Sequence, residues 1–97
     1  IGFWPGSDAF PHAAFYAYAY PEPAGYADAA VEPNQAAWNP ELREFILPYA
    51  VVRAADDPDA ALMAFCQSTY DAAADLAQWD RASLECPLGK PRVPRQI

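Results

Sequence analysis

An alternation of large and small side chains, interrupted only by the neighbouring Phe15 and Tyr16, runs through residues 14–20 and constrains the fold of this chain more than any other feature. The segment reads AFYAYAY. Successive side chains of a β-strand point to opposite faces, so Tyr16, Tyr18 and Tyr20 would share one face, while Phe15 and two alanines would share the other. An α-helix would scatter the tyrosines around its circumference, and aromatic residues favour a pleated surface. We therefore predict a strand with one face of phenols and one nearly flat face that a helix can approach closely.

Three further segments are predicted to be short strands, because turn residues punctuate the chain between them. They are residues 2–4, 35–38 and 43–49. In the last of these, Phe45, Leu47 and Tyr49 would share one face. Glu44 would lie on the opposite face. Because Pro48 cannot donate to a strand ladder, we place this strand at or near an edge of the sheet.

The clearest helix signal begins at Asp57, a good N-cap residue, and continues with Pro58 at the first helical position. Apolar and small residues then recur at spacings of three and four, which predicts one amphipathic helix over about residues 58–79. The side chains predicted to face the sheet are Leu62, Phe65, Thr69, Ala73 and Leu76. The fold class that follows is α+β: a small antiparallel sheet packed against one C-terminal helix.

The two ends of the chain differ in character. Proline and glycine interrupt residues 86–97 repeatedly, and the charged residues there are all basic. We predict a disordered basic tail over that segment, outside a single domain formed by residues 1–85. The chain opens on Ile1 rather than on methionine, and its apolar start resembles the interior of a structure. We therefore expect this domain to be the C-terminal portion of a larger one.

The composition argues against several classes of function. A net charge of −7 disfavours partners such as nucleic acid or a membrane surface, whose phosphates select basic proteins. The single histidine, His12, has no cysteine or carboxylate at ligand spacing, so we predict no metal. The sequence also contains no phosphate-binding loop or nucleophile motif, so we predict no cofactor and assign no catalytic residue. Cys66 and Cys86 are expected to be free thiols in a cytoplasmic protein without a membrane span.

The candidate ligand-binding residues are aromatic side chains and one acid. They are Tyr16, Tyr18, Tyr20, Trp38 and Glu44. Phenols supply stacking surface and hydroxyl donors, and a carboxylate on a strand face gains a raised pKa if it is buried. We expect a cleft on the tyrosine face with Trp4, Trp38 and Glu44 near its rim, suited to a neutral polar ligand rather than a phosphorylated one. The alternative is that the tyrosines pack against the rest of the molecule, while Glu44 faces water or pairs with an arginine.

Four motifs occur in this chain in a characteristic order. They are GFWPG at residues 2–6, AFYAYAYPEP at 14–23, EFILPY at 44–49, and QSTY at 67–70 followed by WDR at 79–81. Together they resemble an uncharacterised bacterial family, the domain-of-unknown-function family numbered 5996, over about residues 1–85. The resemblance implies a cytosolic α+β protein with a larger N-terminal part ahead of these residues. It implies no activity.

Two functional hypotheses follow. In the first, the chain is the C-terminal portion of a ligand-binding or enzymatic α+β protein, with a small-molecule ligand on its tyrosine face. In the second, it is a structural or protein–protein interaction module whose aromatic face meets the N-terminal part of the same protein or a second copy of the chain. Because a single helix covers only one sheet face, we expect the isolated chain to be weakly stable or to dimerise through the other.

Overall fold

The computed structural model describes residues 1–95 as one antiparallel sheet with helices on one side. Within these residues the strands are β1 (Gly2–Trp4), β2 (Ala14–Ala17), β3 (Ala37–Asn39) and β4 (Glu44–Pro48), in the spatial order β1-β2-β4-β3. The helices are α1 (Tyr49–Ala54), α2 (Pro58–Leu76) and α3 (Arg81–Leu84), with a 3₁₀ turn at Tyr26–Asp28. The α+β class predicted from the sequence is confirmed.

The core lies between α2 and the face of the sheet that carries Phe15 and Ala17 of β2. In the pairing of β2 with β4, Ala17 lies opposite Phe45, and the next pair on that face is Phe15 with Leu47. Phe65 of α2 is fully buried in the same cluster as Ala17. The face of β2 that receives the helix is therefore the one that the alternation predicts.

Helix α2 begins as the sequence predicts and ends three residues earlier. The side chain of Asp57 accepts a hydrogen bond from the backbone N–H of Ala60 at 3.1 Å, which caps the first turn. Phe65, Thr69 and Ala73 are buried. The prediction that Leu76 faces the sheet is wrong: it is 44% exposed and lies beside Gly25, because the last turn of the helix extends beyond the sheet.

Strand β2 ends at Ala17, three residues before the predicted end at Tyr20. The ladder from β1 reaches only as far as Tyr16, and that from β4 only as far as Ala17. Beyond Ala17 the chain has no neighbour with which to continue the ladder. The predicted strand over residues 14–20 is therefore correct in its first half only.

Strand β4, predicted at or near an edge of the sheet, lies next to the edge strand β3 and is not itself an edge strand, because it pairs with β2 on its other side. Pro48 is tolerated because it is the last residue of the strand, beyond the point where β3 stops pairing at Ile46. Tyr49 does not extend the strand but begins α1, and its N–H donates to the carbonyl of Ala13 at 2.9 Å.

A buried aromatic cluster closes the core at the β3 end of the sheet. It consists of Tyr26, Trp38 and Phe45, whose ring centroids lie 5.0–5.7 Å apart in edge-to-face arrangements. Tyr26 comes from the connection between β2 and β3, where Gly25 adopts a positive φ of 87° just before the 3₁₀ turn. Burial raises the pKa of Tyr26 to about 12.

Candidate functional site

The face of the sheet opposite α2, here called the outer face, carries a pocket of about 310 Å³. The register explains which residues meet there, since Trp4 lies opposite Ala14 and Tyr16 lies opposite Ile46. The full lining of this aromatic pocket is Trp4, Phe10, Ala14, Tyr16, Tyr18, Leu42, Glu44 and Ile46. Three strands and the segments that follow them thus contribute to one concave, mostly apolar surface.

Large and small side chains alternate across the pair of strands β1 and β2 on this face. Tyr16 lies over Gly2, where a Cβ would come within 2.5 Å of the phenolic oxygen. In the next pair on the outer face, Trp4 lies opposite the buried Ala14. The glycine and the alanine therefore leave the space in which two aromatic walls of the pocket lie against the sheet.

The walls of the aromatic pocket remain open to solvent. The rings of Tyr16 and Tyr18 stack at a centroid distance of 6.3 Å with an interplanar angle of 20°. Tyr18 is 55% exposed and Trp4 is 43% exposed. These side chains offer ring faces that no other part of the described chain covers.

Among the residues that line the pocket, Glu44 carries the charge. Partial burial raises the pKa of its carboxyl above the ordinary value of 4.5, and the positive amino group of Ile1 opposes that effect. In residues 1–95, no hydrogen bond or ion pair engages this carboxylate. An acid in this position can accept hydrogen bonds from a ligand, or donate one when it is protonated.

The neighbouring arginine is engaged elsewhere. Arg43 forms a two-pronged ion pair with Glu22, in which the Nε–Oε1 distance is 2.9 Å, and its guanidinium lies 5.3 Å from the ring centre of Trp38. The hydrogen bond from Arg43 holds the pKa of Glu22 below its ordinary value. The alternative in which Glu44 pairs with an arginine is therefore not what the structure shows.

The structure brings together three of the five candidate residues, Tyr16, Tyr18 and Glu44. Tyr20 is 91% exposed and lies outside the pocket, since the strand that would have positioned it has already ended. The expectation that Trp38 lies near the rim is wrong. Trp38 pairs with Phe45 and so lies on the core face, where the aromatic cluster holds it.

The sequence-based candidates lack four residues that line the pocket: Phe10, Ala14, Leu42 and Ile46. The period of two places Ala14 with Tyr16, and Ile46 with Glu44, on one face of each strand, so the strand register was the missing information. Phe10 and Leu42 come from the loop before β2 and the turn before β4, where no periodic pattern indicates direction. Their positions depend on how those connections fold over the sheet.

Away from the pocket, a network of ion pairs joins the C-terminal helices. Arg81 joins Asp71, Asp75 and Glu85 at 2.8, 3.1 and 2.6 Å, which ties α3 to the end of α2. Within residues 1–95, no three histidine, cysteine, aspartate or glutamate side chains are grouped as metal ligands. No helix of that part is long and apolar enough to cross a membrane.

The fold and the pocket together define an α+β protein whose single sheet has one helix-covered face and one open aromatic face. The model of a family of unknown function, DUF5996, matches residues 1–86. The chain belongs to that family, which confirms the resemblance drawn from the four motifs. Comparison with curated proteins found no match, and comparison with solved structures found none either.

Proposed function

We propose that this protein binds a small organic molecule in the aromatic pocket of the outer face. The observation that carries the proposal is a concave apolar surface of about 310 Å³ with one carboxylate in its lining. Ligand sites are typically apolar cavities of about 300–1,000 Å³ with a few polar groups that fix orientation. The pocket lies at the small end of that range, so its ligand is a compact one.

The exposure of the walls favours binding over internal packing. A side chain that only stabilises the fold buries its ring, as Tyr26 and Phe45 do on the core face. Trp4 and Tyr18 leave about half of their surfaces in water, which costs hydrophobic free energy unless a ligand or partner covers them. Of the tyrosines on this face, only Tyr16 has a clear packing role, over Gly2.

Titration of the full chain with a library of small metabolites, followed by tryptophan and tyrosine fluorescence, tests the proposal. We expect saturable quenching, a large loss of affinity in Tyr18→Ala, and partial retention in Tyr18→Phe, which keeps the ring. Tyr20→Ala is the matched control, since Tyr20 lies outside the pocket. If Tyr18→Ala keeps both its stability and every interaction, the pocket is not a site.

A second candidate function is protein–protein interaction through the same aromatic face and the β1 edge of the sheet beside it. Strand β1 lies at an edge of the sheet and exposes Phe3 and Trp4, without the charged side chains that usually protect an edge. Such an edge suits a further strand, from a larger N-terminal part of the protein or from a second copy. Light scattering on a dilution series checks this: a monomer with a sharp two-state melt at every concentration would count against it.

The cellular location forms part of the proposal. Cys66 and Cys86 are free thiols, and an unpaired, exposed cysteine such as Cys86 suits a reducing compartment. We accordingly place the protein in the cytoplasm, where its pocket would meet soluble metabolites. The bacterial origin implied by the motifs stays a prediction.

A further inference from the structure

The charge of the aromatic pocket is unbalanced. The ion pairs within residues 1–95 use Arg43 and Arg81 as their cations, and neither pairs with Glu44. Within residues 1–95, no lysine, arginine or histidine lines the pocket, and the amino group of Ile1, which opposes the rise in the pKa of Glu44, also lies outside the lining. A ligand that enters the pocket therefore meets one carboxylate and no positive group in the lining.

Three kinds of ligand differ in what they do to that carboxylate. An anion would be repelled by Glu44, which is partly shielded from water. A neutral ligand would remove more water from the carboxylate and could return a hydrogen bond, but no opposite charge. A cation returns a hydrogen bond between two ionised groups, so the attraction of opposite charges is added to it. Glu44 is half-buried, and that burial raises the pKa of its carboxyl, as expected for a charge with reduced solvation.

The walls favour the same class of ligand. Trp4, Tyr16 and Tyr18 line the cavity with aromatic rings, and Trp4 and Tyr18 are about half exposed to solvent. Ring faces attract an ammonium group through their quadrupole, and tryptophan does so most strongly. A net charge of −7 adds long-range attraction for positive ligands.

We infer that the aromatic pocket binds an organic ammonium ion, a primary or secondary amine on a compact apolar or aromatic body. The N–H groups of the amine donate to the carboxylate of Glu44, and its body packs against the rings of Trp4, Tyr16 and Tyr18. This inference rests on the proposed function, which it extends from a pocket for some small molecule to a pocket for a cation.

A matched set of three probes tests it on the full chain by calorimetric or NMR titration at neutral pH. The probes are 2-phenylethylamine, 2-phenylethanol and phenylacetate, which share a ring and differ in the charge of the group at the end of the side chain. We expect the amine to bind at least about tenfold more tightly than the alcohol, because its positive charge adds to the hydrogen bond, and phenylacetate to bind most weakly.

Two variants assign the preference to the pocket. Glu44→Gln keeps the shape of the side chain and removes its charge, so it should abolish the advantage of the amine while binding of the alcohol persists. That persistence also shows that the variant has kept its pocket. Glu41→Gln removes the same charge from an exposed position outside the pocket lining and should leave the order of the probes unchanged.

The outcomes separate the two claims. If none of the three probes binds, the proposed ligand pocket fails, and the inference fails with it. If the alcohol or phenylacetate binds as tightly as the amine, the pocket stands and the cation inference is overturned. If Glu41→Gln reduces the preference as much as Glu44→Gln does, the amine responds to the overall charge of the chain, and the assignment to Glu44 is wrong.

Discussion

The two faces of the sheet are built from the same strands, but one is buried beneath a helix and the other is open to solvent. On the core face, Ala17 lies opposite Phe45, and the fully buried Phe65 of α2 packs into the same cluster. On the outer face, Tyr16 and Tyr18 present their rings to solvent around a carboxylate. The alternation of β2 produces both surfaces, since Ala17 lies on the face that α2 approaches and Tyr16 lies on the other.

The different exposure of the two faces indicates which side chains stabilise the fold and which are available to bind a ligand. Hydrophobic stabilisation is roughly proportional to the apolar area that is removed from water. The core face has removed nearly all of its area, whereas Trp4 and Tyr18 on the outer face have removed only about half. Substitutions on the two faces should therefore separate into losses of folding free energy and losses of binding.

The largest expected effect is on the core face, from Phe65→Ala. Phe65 is fully buried beneath the sheet, so its truncation should lower the free energy of unfolding by about 3–5 kcal/mol. Urea denaturation followed by circular dichroism measures this. Met63→Ala, at an exposed position of the same helix, is the control and should change stability little. A small effect of Phe65→Ala would mean that α2 is not seated on the sheet as described.

Substitutions of two adjacent residues, Ala17 and Tyr18, test the difference between the two faces directly. Ala17→Leu adds bulk where α2 packs and should destabilise the fold by about 1–3 kcal/mol. Tyr18→Ala, one residue later on the opposite face, should change stability by no more than about 0.5 kcal/mol, because half of the ring is already in water. Thermal melts of the two variants give the order. Equal losses would mean that the outer face is as much a core as the inner one.

The smallest expected effect on stability comes from Glu44→Gln, and it depends on pH. Burial raises the pKa of Glu44 above 4.5, so the folded state binds its proton more tightly than the unfolded state does. The free energy of unfolding therefore falls as pH rises from the ordinary pKa through the folded one. The variant should be slightly more stable than the parent above that window and should show no gain below it. Melting curves across acidic and neutral pH, with Glu41→Gln as control, measure the difference; a gain that is independent of pH would contradict the assignment.

The sequence predicts the individual strands and helices of this protein better than it predicts which strands pair with one another. The alternation of residues 14–20 and the capped start at Asp57 act within a few residues, so the strand and the helix could be predicted from them. The position of β4 inside the sheet could not, because Pro48 rules out a ladder bond only at its own residue. Whether a neighbouring strand reaches that residue depends on the long-range pairing.

The candidate site shows the same limit. Tyr16, Tyr18 and Glu44 share a face for two reasons. The period of two can be read from the sequence, whereas the register of β2 with β4 cannot. The wrong position predicted for Trp38 has the same cause, because the sequence does not show which residue of β4 lies opposite it: the predicted strand covers 35–38, whereas β3 is Ala37–Asn39. The actual register with Phe45 sends the indole into the core.

The most direct test of the account follows the indole N–H signals of the three tryptophans during titration of the full chain with 2-phenylethylamine. Trp4 lines the aromatic pocket, Trp38 lies on the core face, and Trp79 lies just beyond α2 with 44% exposure, close to the 43% of Trp4. We predict that the Trp4 signal shifts saturably, while the chemical shifts of the Trp38 and Trp79 signals do not change. Equal shifts at Trp4 and Trp79 would reveal mere adhesion to exposed rings, and a shift at Trp38 alone would contradict the division of the sheet into a core face and a binding face.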